Sequence, residues 1–265
     1  MNRLLIALLF LLSSTASAAP IDDAKAADAR GDFAAELKIL RPAAEKGEVW
    51  AQYNLGVMYG LGRGVASDPA EAAKWFKLAA TQGDYRAQHN LGVFYDNGQG
   101  VIQDYAEAAK WFKLAALQGD AESQYYLGQK YTDAQGVAKD NAEAAKWFRL
   151  AAVQGYASAQ YDLGVMYDIG DGVLQDYAEA VKWFKLAAAQ GVVQAQYNLG
   201  TMYYQGRGVP VDYVRAHMWL NLAAATGDKN AAINRDIAAK KLSNQQMAEA
   251  QKMARECQAR KFKGC

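Results

Sequence analysis

The sequence predicts an all-α fold, a right-handed solenoid of helix-turn-helix repeats with a period of 36 residues. The first observation is a segment that returns at a constant interval: near copies of Ala51–Gly56 begin at residues 87, 123, 159 and 195. The second is that apolar residues within each copy recur at helical spacing, and the third is that glycines follow each apolar run. A fixed period of this length is typical of proteins built from stacked helical pairs.

The first helix of each repeat is predicted by one apolar stripe. Ala51, Leu55 and Tyr59 lie at i, i+4 and i+8, on one face of a helix. Gly56 follows Leu55, and its missing side chain lets a neighbouring helix come close. The glycines at positions 62 and 64 then end the helix, because glycine adopts turn conformations that other residues resist.

The second helix is predicted to begin at an N-cap aspartate, Asp68, with Glu71 completing a capping box. The same pairing recurs in the next three repeats, whereas in the fifth repeat Asp212 is followed by Arg215. The buried stripe of this helix is Ala72, Trp75, Phe76 and Ala79 and their equivalents. We therefore assign the repeated tryptophans to the core: Trp75, Trp111, Trp147, Trp183 and Trp219.

Five full repeats cover residues 51–230, and both ends are predicted to be caps, as solenoids require. Residues 19–50 hold a degenerate half-repeat in which Phe33, Leu37, Ile39 and Leu40 match the second-helix stripe. Residues 231–265 are predicted to form a short helix, then a longer helix capped by Ser243 and a tail. This end carries an excess of lysine and arginine, which either faces solvent or docks an acidic partner.

The motifs together resemble a known family. The pattern Ala-x-x-x-Leu-Gly-x-x-Tyr, then Gly-x-Gly-Val-x-x-Asp, then Ala-x-x-Trp-x-x-x-Ala-Ala-x-x-Gly resembles the Sel-1-like repeat, a relative of the tetratricopeptide repeat. Departures are few: Ala134 replaces a loop glycine and Met218 replaces a lysine. The resemblance implies a scaffold or adaptor that binds other proteins, including envelope or host proteins.

Two alternatives remain beside the scaffold. Some cysteine-rich members of the family resemble β-lactam hydrolases, but those carry a disulfide in nearly every repeat, and here the repeats contain no cysteine. A peptidoglycan-binding module is the other alternative. No catalytic, cofactor or metal motif stands out, since His89 and His217 are far apart in sequence.

The N-terminus predicts export. Arg3 precedes an apolar run, Leu4–Leu12, that is short for a membrane span, and Ala16–Ala18 matches a signal-peptidase site. We expect residues 1–18 to be a signal peptide cleaved after Ala18, with an uncleaved anchor as the alternative. The mature chain would then be periplasmic or secreted, without a transmembrane segment. Its 28 basic residues balance 28 acidic ones once Arg3 is removed, which argues against a general nucleic-acid binder.

The only cysteines, Cys257 and Cys265, lie at the C-terminus. In an oxidising compartment we expect them to form a disulfide, with a redox switch or an intermolecular bridge as the alternative. Eight helical residues would separate them by about 12 Å, which is too far for a disulfide. The pairing therefore requires the helix to end near Arg260 and the tail to fold back, which Gly264 permits.

The candidate partner-binding surface is the concave face, lined by the first helices. Position 53 lies about 200° round the helix from the core stripe and is predicted to point away from it. Its equivalents form an aromatic ladder, with a second row one turn along: Tyr53, His89, Tyr125, Tyr161 and Tyr197, then Val57, Val93, Gln129, Val165 and Thr201. The ladder suits an extended peptide or a partner helix. Alternatively, the tyrosines stiffen the solenoid by stacking between repeats.

Overall fold

The computed structural model describes residues 18–262 and 264–265, and in that part of the chain it contains 14 α-helices and no strand. The predicted all-α repeat fold is confirmed. The predicted signal peptide lies outside the described residues, apart from Ala18. The helices are α1 (Ala18–Ala29), α2 (Phe33–Glu45), α3 (Val49–Leu61), α4 (Pro69–Thr81), α5 (Tyr85–Asn97), α6 (Tyr105–Leu117), α7 (Ala121–Asp133), α8 (Asn141–Val153), α9 (Ala157–Ile169), α10 (Tyr177–Ala188), α11 (Val193–Gln205), α12 (Tyr213–Ala224), α13 (Lys229–Ala239) and α14 (Asn244–Ala259).

The chain forms two compact units, and the boundary runs through the second repeat. The N-terminal unit contains the described residues up to Phe94 together with Gly98–Ile102, and its core packs Leu40 and Ala44 of α2 against Leu55 and Met58 of α3. The C-terminal unit contains residues 95–97 and 103–265, and its core runs from α8 to α14.

The glycine of each first helix makes room for an aromatic ring of the second helix. A Cβ atom built on Gly56 would lie 2.7 Å from Cδ1 of Phe76, and one on Gly128 would lie 2.5 Å from Cε1 of Phe148. Both distances are shorter than packed carbon atoms tolerate. The close approach predicted at this position is therefore present in both units.

The turn after each first helix uses a left-handed residue. Gly62 ends α3 with a φ of 69°, and its N–H donates to the carbonyl of Met58. In the third repeat the same place is held by Ala134, with a φ of 56°. The repeat geometry thus imposes on an alanine the backbone conformation that glycine prefers.

The predicted capping boxes at the second helices are wrong, although the predicted caps are present. The Asp68 carboxylate accepts from the N–H groups of Ala70 and Glu71. The Glu71 carboxylate does not return to the cap; it binds Nζ of Lys74 at 2.8 Å. A lysine one helical turn along competes for the glutamate in the next three repeats as well. In the fifth repeat Asp212 still caps the helix, and it also pairs with Arg215.

The tryptophans follow the core prediction in the C-terminal unit, where Trp111, Trp147, Trp183 and Trp219 are buried. Trp75 of the N-terminal unit is only half-buried. None of the helices in the described part of the chain is long and apolar enough to cross a membrane.

The C-terminal tail folds back on its helix. Helix α14 ends at Ala259, and Phe262 donates its N–H to the carbonyl of Cys257 at 2.8 Å. Gly264 has a φ of 70°, and the structure joins Cys257 to Cys265 in a disulfide with 5.5 Å between the Cα atoms. The ring of Phe262 lies beside Gly191, at the turn between α10 and α11. The tail therefore fastens the last helix onto the fourth repeat.

Candidate interaction surface

The ten residues predicted to bind a partner are half-buried. Three of the tyrosines among them pack against buried phenylalanine rings of the second helices. The ring of Tyr53 lies 6.0 Å from that of Phe76, and Tyr161 lies 5.9 Å from Phe184, centroid to centroid. Tyr125 packs against Phe148 in the same way. The expectation that position 53 points away from the core is therefore wrong, because the glycine gap exposes the second-helix ring to it.

The tyrosine hydroxyls join four of the five repeats to the next; the second repeat has His89 at this position. Tyr197 accepts a hydrogen bond from Nδ2 of Asn234 at 3.0 Å, one repeat further along the chain. Tyr53 is bonded to Asn90 and Tyr161 to Asn198 in the same register. In the third repeat the direction is reversed, because the Tyr125 hydroxyl donates to the carboxylate of Asp162; the same hydroxyl accepts from Nε2 of Gln129 at 2.9 Å. The tyrosines thus connect repeats by hydrogen bonds, and the ring of Tyr125 also packs against Tyr156, which precedes α9, at 5.0 Å between centroids.

A second set of ties, which the sequence analysis did not identify, consists of buried glutamines. Gln52 donates from Nε2 to the carbonyl of Ala44, and its Oε1 accepts from Gln82 at 2.8 Å. Gln160 makes the same two bonds, to the carbonyl of Ala152 and from Gln190. The signal was present in the sequence: a glutamine stands beside the first buried position of all five repeats.

Three grooves open between successive first helices, at equivalent places in the repeat, each over the position of the second-helix ring. The apolar groove, between α3 and α5, has a volume of about 410 Å³ and is lined by Tyr53, Val57, Gly60, Leu61, Pro69, Phe76, Asn90, Phe94 and Gln99. The acidic groove, between α7 and α9, has a volume of about 300 Å³ and is lined by Gln129, Thr132, Asp133, Phe148, Asp162, Val165, Met166, Ile169 and Asp171. The polar groove, between α11 and α13, has a volume of about 130 Å³ and is lined by Thr201, Tyr204, Gln205, Leu220, Asn234 and Ile237.

Five of the ten predicted residues line these grooves. Tyr53 and Val57 lie in the apolar groove, Gln129 and Val165 in the acidic groove, and Thr201 in the polar groove. The second predicted row therefore contributes one wall of each groove, and the tyrosine ladder mainly holds the helices that form it.

Comparison with known proteins identifies the repeat. The sequence profile of the Sel1 repeat matches residues 51–84, 86–120, 121–156, 157–192 and 193–228. The chain belongs to the Sel1-repeat family. Proteins of this family are generally protein-interaction scaffolds.

Two crystal structures of Sel1-repeat proteins resemble the chain. The first is c5321, a protective antigen present in uropathogenic Escherichia coli strains and displaying an SLR fold, with 34% sequence identity and a TM-score of 0.79. The match covers 90% of this chain and 54% of the antigen, so this chain spans about half of the antigen's length. The second is a Sel1 repeat protein from Oxalobacter formigenes, with 32% identity, a TM-score of 0.74 and coverage of 78% of this chain and 86% of that one. Among curated proteins none matches.

The acidic groove gives the third and fourth Sel1 repeats their distinctive charge. Asp162 is bonded to the Tyr125 hydroxyl, Asp171 accepts from Nδ2 of Asn141 at 2.6 Å, and Asp133 accepts from Thr132 at 3.0 Å. Burial raises the pKa of the Asp162 carboxyl above its ordinary value, an effect that the hydrogen bond from Tyr125 opposes. Within the described part of the chain, no lysine or arginine forms an ion pair with these three carboxylates.

Two other carboxylates, one in the second and one in the fourth Sel1 repeat, are neutralised internally. Asp96 is bound by Nζ of the buried Lys130, and Asp168 is bound by Nη2 of Arg207 at 2.7 Å. Each cation also lies near a tyrosine ring. A carboxylate that joins neighbouring Sel1 repeats is therefore paired with a lysine or arginine side chain of the next repeat.

The two histidines lie in separate environments. His217 is buried in α12, where burial first, and then the charge of Arg235, lowers its pKa. His89 is half-buried on α5. No group of three or more histidine, cysteine, aspartate or glutamate side chains in the described residues is arranged to hold a metal ion.

Proposed function

We propose that this chain is an exported scaffold of the bacterial envelope that binds a partner protein or peptide along the first-helix grooves. The observation that carries the proposal is the recurrence of a groove, at one register position, in both units. Each groove combines a hydrophobic floor with polar or charged walls, which is the composition of a peptide-binding site. The general scaffold role of Sel1-repeat proteins supports the same function.

The row of residues equivalent to Val57 is the best place to test binding. Substitution of the tyrosines would remove both ring packing and the ties between repeats, so a loss of binding could reflect damage to the fold. Val57 and Val165 line grooves without making those ties. A photo-crosslinking amino acid at either position would report a bound partner directly. Thr81 and Val153, exposed at the ends of α4 and α8, are the matched control positions.

We expect crosslinking in intact cells to yield the same partner protein from Val57 and Val165 and little or none from Thr81 and Val153. Mass spectrometry of the crosslinked product identifies the partner. Equal yields from all four positions would contradict binding in the grooves. The absence of any specific product from all four would contradict the scaffold function.

Export is proposed from the N-terminal sequence: a short apolar run followed by Ala16-Ser17-Ala18. We expect the protein released from the periplasm or the medium to begin at Ala19. The double variant Ala16→Arg, Ala18→Arg should retain the uncleaved precursor, since the peptidase requires small residues there. Intact precursor of the unaltered chain in the cytoplasmic fraction would contradict export.

A further inference from the structure

The acidic groove differs from the apolar groove at three equivalent positions. Residues 72 apart in sequence occupy the same place in the two grooves, and the acidic groove has aspartate at each. Asp133 corresponds to Leu61, Asp162 to Asn90, and Asp171 to Gln99. The neutral residues of the apolar groove show that the repeat folds without a carboxylate at any of the three.

Asp162 illustrates that the fold does not require the charge. At the equivalent position, Asn90, Asn198 and Asn234 each form a hydrogen bond to the tyrosine of the preceding repeat with a neutral amide. An aspartate at that place instead lowers the stability of the folded state, because a half-buried carboxylate loses part of its hydration. A carboxylate that costs stability, at a place where a neutral amide can bond to the same tyrosine, is expected where it serves binding.

Among the residues that the structure describes, no lysine or arginine pairs with a carboxylate of the acidic groove. By contrast, Asp96 of α5 and Asp168 of α9 are each paired with a lysine or arginine. Asp133, Asp162 and Asp171 are bonded instead to uncharged groups of Thr132, Tyr125 and Asn141. The groove therefore keeps its negative charge available to an external cation.

The remaining walls are apolar and favour an organic cation. Phe148 forms the floor, and Val165, Met166 and the largely exposed Ile169 line one side. A lysine or arginine side chain fits this combination, because its aliphatic stem packs on apolar surface while its charged end reaches carboxylates. The described carboxylates do not gather at distances suited to a metal ion.

We propose that the groove between α7 and α9 binds a lysine or arginine side chain of a basic segment in the partner protein. This proposal rests on the proposed scaffold function and adds the chemistry of the segment that is bound. The charge of the groove is complementary to such a segment, and the apolar floor accommodates its stem.

The test measures the binding of a fluorescein-labelled peptide of alternating arginine and leucine to the mature chain, by fluorescence anisotropy. A peptide with citrulline in place of arginine keeps the shape and removes the charge. The variant D133L/D162N/D171Q gives the acidic groove the residues of the apolar groove at these three positions. The control variant D23N/E45Q/E249Q removes the same charge from exposed positions outside the groove.

We expect the groove variant to bind the arginine peptide at least about tenfold more weakly than the unaltered chain, and the control variant to bind within about twofold. The citrulline peptide should bind all three proteins weakly. Equal loss in both variants would overturn the proposal in favour of general charge attraction, and no loss in either would overturn it outright.

Folding and the wider function are separated by two further measurements. Thermal unfolding should show the groove variant to be at least as stable as the unaltered chain, since it removes carboxylates that the fold does not need. Crosslinking from Val57 tests the scaffold function independently, because that residue lies in the apolar groove. Suppose that a partner is captured at Val57 but the groove variant binds the arginine peptide as well as the unaltered chain does. That result would overturn the proposal for the acidic groove and leave the scaffold function standing.

Discussion

At the scale of single residues, helical glycines of one helix have opposite roles. A Cβ on Gly56 would press on the buried ring of Phe76, whereas one on Gly60 would lie 3.8 Å from its nearest neighbours, an ordinary contact. Gly56 is thus a packing requirement. Gly60 carries only the entropic cost that glycine adds to a helix.

We therefore predict that Gly56→Ala lowers the free energy of unfolding by about 1–3 kcal/mol, through overpacking. The matched change in the same helix, Gly60→Ala, should leave stability unchanged or raise it by up to about 1 kcal/mol. Urea unfolding followed by circular dichroism measures both. Similar effects from the two changes would contradict the packing role of Gly56.

A second residue-scale prediction concerns His217, whose place is held by alanine or valine in the other repeats. Burial lowers its folded-state pKa below the ordinary value of 6.5, so the unfolded chain binds more protons. Stability should therefore fall as the pH drops through about 6.5 and below. His217→Val, the residue of the fourth repeat, should reduce this loss in thermal unfolding measured between about pH 7 and pH 5.

Asp162→Asn is the control for that pH dependence. Burial raises the pKa of Asp162, so its carboxyl makes stability fall as pH rises, the opposite sign to His217. Removing it should not diminish the acid-induced loss. If His217→Val and the unaltered chain lost stability in parallel, the buried histidine would not be the source.

At the scale of helices and their ties, the glutamines couple one repeat to the one before. Gln160 connects the carbonyl of Ala152 to the amide of Gln190, and both partners lose a bond if it is removed. We predict that Gln160→Ala lowers the free energy of unfolding by about 1–3 kcal/mol, from two lost hydrogen bonds and a small cavity. The cost is moderate because the Ala152 carbonyl still accepts from the N–H of Gly155, and Gln190 still donates to the carbonyl of Gly155. The exposed Gln258→Ala in α14 should change it by less than about 0.5 kcal/mol.

Much at this scale could be predicted from the sequence, and the exceptions have physical causes. Helical periodicity and glycine spacing predict the helix pairs, because burial of one stripe decides them. The capping boxes were wrong because Lys74 and its equivalents bind the glutamates, a competition between two favourable contacts of similar strength. The acidic groove could not be predicted, since Asp133, Asp162 and Asp171 are distant in sequence and meet only when two repeats pack.

At the scale of the whole molecule, each helix contacts mainly its neighbours along the chain. Stability in such an array is close to a sum of local terms, so a local change should act locally. The disulfide between Cys257 and Cys265 closes a short loop on a buried cysteine of α14. It belongs entirely to the C-terminal unit.

We predict that Cys257→Ser, Cys265→Ser destabilises the C-terminal unit by about 2–3 kcal/mol. Hydrogen exchange should show the loss of protection in α12–α14 and little change in α2–α4. Uniform loss across both units would indicate that the chain unfolds as one cooperative body, contrary to the nearest-neighbour behaviour expected.

The glutamine ties have a consequence for how genes of this kind change length. Gln196 donates to the carbonyl of Ala188, and Gln160 donates to the equivalent atom of Ala152. Excision of residues 157–192 would therefore bring Gln196 to Ala152, and this buried hydrogen bond would form again. The surface pair of Arg207 with Asp168 would be lost, since the third repeat has Thr132 in the place of Asp168. A deletion that is not a whole number of repeats would move these buried amides away from their acceptors. Recombination between the repeated segments would therefore preserve the buried hydrogen bonds only when whole repeats are gained or lost. Such changes alter the number of grooves and preserve how each groove is built.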